Sequence, residues 1–311
     1  MPVRATVAAV AGAMALSALA VPAAQAAGNG TRHPADPLKA PHTAASGRSA
    51  FSAFAGASPA DSGAPYPLDV TFGSVKVNKG RPIVAGTGGH VSVPVTFKVT
   101  HGAGVDLGAE DVELDLAVYR GASFAAPDAL LVGDYRPTCT DTSATVASCA
   151  GTIDVHPADR LSNADATGWK AAGYVVDWND VDPSDDVDWT KVGYAEGDAL
   201  ATVRLQRLSR LTADAAPEPV KKGRTITVTG KLARANWDTD KYAGYSAQPV
   251  KLQFRKKGSS TYTTVKTVKS STTGGLKATV TASVDGYYRF VFAGTSTTPA
   301  VSAAGDFVDV K

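Results

Sequence analysis

The feature that most constrains this chain is a two-residue alternation of apolar and polar side chains that recurs from Tyr66 to the C-terminus. Val91, Val93, Val95, Phe97 and Val99 alternate with Ser92, Pro94, Thr96, Lys98 and Thr100. Val112, Leu114, Leu116 and Val118 alternate with Asp111, Glu113, Asp115 and Ala117, and Ala201, Val203 and Leu205 with Thr202, Arg204 and Gln206. Side chains on a strand point to opposite faces in turn, so each run predicts a strand with one apolar face and one mostly polar face. Breaks such as Asn78-Lys79-Gly80 and Gly86-Thr87-Gly88-Gly89 separate the runs. Only Pro157 to Lys170 has helical or irregular character, because Asp, Asn and Gly interrupt the alternation there.

The last third repeats the pattern. Ile226, Val228 and Leu232 oppose Thr225, Thr227, Thr229 and Lys231, and Val250, Leu252 and Phe254 alternate with Lys251, Gln253 and Arg255. Further strands are expected at 262–268, 276–282, 288–292 and 307–310, about seven within 213–311, at the spacing of an immunoglobulin-like sandwich. The reading is all-β, with two tandem β-sandwich domains at 66–212 and 213–311.

Two segments precede them. Met1 to Ala26 reads as a signal peptide: Arg4, an apolar stretch from Ala5 to about Ala20, the breaker Pro22, and the small-x-small triplet Ala24-Gln25-Ala26. No later stretch reaches the roughly 18 apolar residues of a membrane span. Residues 27–65, rich in Ala, Gly, Ser and Pro, read as a disordered tether that cannot bury enough surface to offset its ordering entropy. The mature chain is therefore expected to be secreted, either released or held at the cell surface non-covalently. Cys139 and Cys149 fit that compartment and are expected to form a disulfide clamping a hairpin.

The segments Pro217–Gly230, Val250–Arg255 and Asp285–Phe290 resemble a bacterial Ig-like module common in secreted actinobacterial proteins. Some relatives of that module carry a calcium-binding label. The resemblance implies fold and location and brings no catalytic residues with it.

Charge divides the two halves. Residues 66–214 hold twelve Lys and Arg against twenty-one Asp and Glu, whereas 215–311 hold fifteen against six. The basic half would hold an anionic cell-wall polymer or glycan, or attract the acidic half, or be simply a solvated surface. Secretion and the lack of a recognition motif argue against nucleic acid as a partner. Oligomeric state is left open.

Local candidates lie in the run from Asp177 to Trp189. Asp177, Asp180, Asp182, Asp186 and Asp188 are a candidate Ca²⁺ set, since that ion takes six to eight oxygens. The spacing fails the EF-hand pattern, with Asp185 where the turn glycine belongs and Lys191 where the closing glutamate belongs. An exposed acidic loop is the alternative. Trp169, Trp178, Trp189 and Tyr194 are candidate glycan-stacking rings, the alternative being rings that fasten a long loop to the sandwich. Calcium is the one cofactor suggested. No nucleophile-elbow, zinc-protease or phosphate-loop motif occurs, and His90, His101 and His156 look scattered, so catalysis would need a dispersed hydrolase site. The expected function is a secreted, non-catalytic binding or structural protein at or near the cell surface.

Overall fold

The computed structural model describes residues 63–182 and 187–311. The signal peptide, most of the tether and Asp186 lie outside the described residues. The described chain is all-β, in two tandem β-sandwiches. No helix among the described residues is long and apolar enough to cross a membrane.

The first sandwich pairs two sheets. One runs Val70–Val77, Val91–His101, Val146–Val155, Thr138–Ser143, each antiparallel to its neighbour. The other runs Tyr66–Pro67, Gly193–Arg207, Gly168–Asp177, Val112–Ser123, Ala126–Leu131, with Ile83–Ala85 beside the far end of Gly193–Arg207. Their inner faces meet over Val93, Val95, Phe97, Val99, Leu116, Val118 and Ile153, all buried. Val91–His101 keeps the expected alternation, with every second residue exposed. Val112–Ser123 does not: Asp115, Ala117 and Tyr119 on its other face are buried as well. That face forms a second apolar cluster with Ala172, Tyr174 and Val176, roofed by Trp178, Val181, Val187, Trp189 and Tyr194. The stretch expected to be irregular as far as Lys170 holds a short helix, Pro157–Arg160, and a 3₁₀ turn, Asn163–Asp165, but rejoins the sheet at Gly168.

Cys139 and Cys149 are directly opposite across the Thr138–Ser143 and Val146–Val155 hairpin and are disulfide-bonded, Cα to Cα 4.0 Å. The hairpin is thus closed covalently at the sheet edge.

The second sandwich has Thr225–Asn236 at the centre of one sheet, flanked by Ser209–Leu211, Asp214–Ala216, Lys241–Gly244 and Gly275–Thr281. The other sheet comprises Thr263–Lys269, Pro249–Lys256, Gly286–Phe292, Val301–Ser302 and Asp306–Val308. Ile226, Val228, Leu232, Val250, Leu252, Phe290 and Phe292 fill the space between them at 0–1% exposure. No disulfide links these sheets; the apolar core holds them together, and the Ala215 amide donates across to Asp306 at 2.7 Å.

Several contacts cross between the sandwiches. Trp237 follows the strand Thr225–Asn236, yet its ring packs into the core of the first sandwich and its Nε1 donates to the Gly86 carbonyl at 2.6 Å. Arg207 Nε donates to the Ala235 carbonyl at 2.6 Å, and Asn163 bonds the side chains of Asn236 and Asp238.

Candidate functional site

The described residues of the acidic and aromatic run make mostly local contacts. Asp177 ends the strand Gly168–Asp177, and its carboxylate accepts from the Tyr66 hydroxyl at 3.3 Å and the Asn179 amide at 3.1 Å. Asp180 has a left-handed backbone, and its amide donates to Asp111 at 3.3 Å. Asp188 caps the 3₁₀ turn Trp189–Lys191, accepting from the Thr190 hydroxyl at 2.6 Å and lying 3.4 Å from the Lys191 ammonium. The Thr190 hydroxyl bond outweighs burial and holds the Asp188 carboxyl below the ordinary aspartate value. Asp182 is exposed.

The aromatic rings divide. Trp169 is a core residue: it is 2% exposed, packs between the two sheets and donates from Nε1 to the Asp165 carbonyl at 2.8 Å. It is out of reach of an external ligand, which corrects its grouping with the stacking candidates. Parity on its strand explains this, since Trp169, Ala171 and Val175 share the inner face. Trp178, Trp189 and Tyr194 lie on the opposite face as the roof of the second cluster, with the two indoles 6.1 Å apart. The Tyr194 hydroxyl donates to Glu196 at 2.7 Å, and burial pushes its pKa up.

A different constellation forms at one end of the first sandwich. His90 immediately precedes the strand Val91–His101, and His156 immediately follows Val146–Val155. Val91 pairs with Val155, so the next step outward sets the two histidines across from each other. Their rings stack with centroids 4.8 Å apart and planes 18° from parallel. His101 is at the other end of the strand that follows His90, about 36 Å away at the usual rise per residue.

Two aspartates complete the group. His90 Nε2 lies 2.6 Å from Asp154 Oδ1, and His156 Nε2 lies 3.2 Å from Asp134 Oδ2. Asp154 is 5% exposed, and its second oxygen accepts from the Asp134 amide at 2.6 Å and the Thr152 hydroxyl at 3.0 Å. Burial alone would raise the Asp154 pKa. Bonds from the Asp134 amide, His90, Thr152 and Ser92 outweigh it and hold the carboxyl below its ordinary value. An ionised carboxylate only accepts, so a neutral His90 in this contact carries its proton on Nε2 and leaves Nδ1 as its unprotonated nitrogen. Asp134 reaches the site because Gly133 lets the backbone close on the neighbouring strand; a Cβ there would collide with the Thr152 carbonyl oxygen. Among the described residues, His90, Asp134 and His156 are the one set of three potential metal-binding side chains whose ligand atoms all lie within 4.8 Å of one another.

The second sandwich presents a cationic, aromatic sheet face. Along Pro249–Lys256, Val250 and Leu252 point inward, so Lys251, Gln253 and Arg255 point outward. Gln253 pairs with Arg289 and Arg255 with Tyr287 on Gly286–Phe292. The Arg289 guanidinium sits 3.7 Å from the centre of the Tyr262 ring, and Arg255 sits 4.1 Å from that of Tyr287. Lys257 lies 5.3 Å from the centre of Phe307. Arg289 donates to the Gln253 side chain and Arg255 to the Ser259 carbonyl, and neither pairs with a carboxylate among the described residues. A cleft of about 660 Å³ also opens beside the disulfide, lined by Asp106, Glu110, Arg136 and Asp141 among others.

No protein-family model matches the chain. No curated protein matches it either. Among solved structures, the D0-D1 domain of Intimin aligns at 13% identity over 76% of this chain and 99% of its own length, with a TM-score of 0.22. The adhesin InvE of Yersinia pseudotuberculosis aligns at 12% identity over 77% of this chain and 56% of its own, with a TM-score of 0.20. The three N-terminal domains of the outer capsid protein Hoc of bacteriophage RB49 align at 11% identity over 78% and 70%, with a TM-score of 0.26. Likenesses at these TM-scores carry no argument about this chain.

Proposed function

We propose that this chain is a secreted, non-catalytic binding protein that attaches to an anionic polymer at the cell surface through the outer sheet face of its C-terminal sandwich. The observation that carries the reading is the row Arg255, Tyr287, Arg289 and Tyr262, in which guanidinium groups lie over tyrosine rings and pair with no carboxylate among the described residues. Stacking holds each guanidinium in a fixed plane without neutralising it. A planar, weakly hydrated cation in that state suits bidentate contact with phosphate or carboxylate. The surrounding unit adds an excess of positive charge, fifteen basic against six acidic residues over 215–311, which draws a polyanion toward the face. The signal-like leader and the hairpin disulfide both support an extracellular setting.

The test is retention of the full chain on isolated cell walls that contain teichoic acid and on walls stripped of it. Arg255→Gln with Arg289→Gln is expected to reduce retention several-fold, and added salt is expected to release the parent protein as exposed charge contacts are screened. Equal retention of parent and variant, or equal retention on both walls, sinks the reading.

A further inference from the structure

We propose that His90, Asp134 and His156 bind a single divalent transition-metal ion of the zinc class. Two imidazoles and one carboxylate form the donor set that zinc and its neighbours take, whereas calcium and magnesium prefer sites made of oxygen alone. The three ligand atoms already lie within 4.8 Å of one another. A tetrahedral site with bonds of about 2.0 Å places its ligands about 3.3 Å apart. Side-chain rotations of roughly an ångström therefore bring these donors to that spacing. Three protein ligands leave a fourth position for water or an exogenous donor.

The surroundings are those of a supported site. The antiparallel register between Val91 and Val155 fixes the histidine pair, so neither ring depends on a long loop for its position. Asp154 is buried and accepts from His90, the outer-shell contact that orients a metal-binding imidazole and fixes its tautomer. The Asp134 amide and the Thr152 hydroxyl hold Asp154 in turn, so one buried carboxylate organises both His90 and the segment that delivers Asp134. His90 is exposed and Asp134 and His156 are half-buried, so an ion can reach the group from solvent. This site lies in the first sandwich and is independent of the cationic face on the second.

The experiment is a calorimetric titration of the full chain with Zn²⁺, in a His33→Ala, His42→Ala background so that histidines outside the described residues add no binding. One ion per chain is expected, with a raised melting temperature. Co²⁺ is expected to give the visible absorption of a low-symmetry complex that free cobalt lacks. His90→Ala with His156→Ala is expected to abolish uptake. Asp134→Asn, which keeps the shape of a partly exposed side chain, is expected to weaken binding at least tenfold with the metal-free melting temperature unchanged. Asp154→Asn is expected to weaken it ten- to a hundredfold, as loss of an outer-shell partner does. Failure to take up zinc at tenfold molar excess overturns the proposal. So does unchanged affinity in the double histidine variant or in Asp134→Asn, or displacement of zinc by equimolar calcium.

Discussion

Trp237 is a side chain that joins the two sandwiches, and replacing it with alanine tests how far the joint depends on it. It belongs by chain position to the second sandwich, yet it is 3% exposed within the core of the first. Truncating a buried tryptophan to alanine costs about 3–5 kcal/mol, because packing is lost and a cavity remains. Trp237→Phe keeps most of the ring and removes the N–H, leaving the Gly86 carbonyl without its donor at about 1–3 kcal/mol. In a protein of this size each kcal/mol lowers the melting temperature by about 2–4 °C. Trp237→Ala is therefore expected to melt about 6–20 °C lower and Trp237→Phe by a smaller step. Scanning calorimetry is the assay, because it also reports cooperativity. The Leu208 amide donates to Ala85 and the Ala235 amide to Leu208, so the connecting strand is bonded on both sides and the parent is expected to unfold in one transition. Trp237→Ala is expected to split it into two. A variant that melts within about 2 °C of the parent, in one transition, refutes the assignment of Trp237 as the joint.

Two further outcomes follow from local geometry. Cys139→Ala with Cys149→Ala releases a ten-residue separation and is expected to cost about 3 kcal/mol in the chain-entropy treatment, read as a lower denaturant midpoint; an unchanged midpoint contradicts it. Asp285 accepts from the Val310 amide at 2.9 Å, and that bond, with Lys257 beside it, holds its carboxyl below the ordinary value of 3.8. A carboxyl depressed by folding stabilises the native state above its unfolded pKa and ceases to as the pH falls through its folded one. The melting difference between parent and Asp285→Asn is accordingly expected to shrink between about pH 6 and pH 2, and a constant difference would count against this.

The strands were legible wherever one face meets solvent. Val91–His101 alternates in burial as it alternates in composition, because the sheet outside it is bare. Val112–Ser123 carries the same sequence rhythm and departs from it in burial, because a roof of aromatic side chains covers its second face. Nothing in the strand itself announces that roof. Tyr119 and Ala117 are apolar, but Asp115 reads as a solvent residue and is 2% exposed. Burial on both faces is a property of what packs against a sheet, and local periodicity does not record it.

The histidine group was hidden for a related reason. His90 and His156 are 66 positions apart in the chain and become neighbours only through the pairing of two strands that are not consecutive. Register is set by turns and by the buried face as a whole, so a cross-strand pair has no local spacing to find. Trp237 was hidden likewise, since Asn236-Trp-Asp-Thr-Asp240 reads as a polar turn with one stray ring. These two unforeseen features meet. The turn entering His90 begins at Gly86, the residue that receives the Trp237 indole, and the segment leaving His156 runs to Asn163, whose side chain bonds Asn236 and Asp238. Both backbone segments that lead from the histidine pair are therefore fastened to the second sandwich within a few residues. A segment fastened to a neighbouring unit gives up less entropy when a ligand orders it further. On that argument the joint steadies the two segments that flank the histidine pair, whose register the strand pairing itself sets, although no residue of the second sandwich belongs to the group.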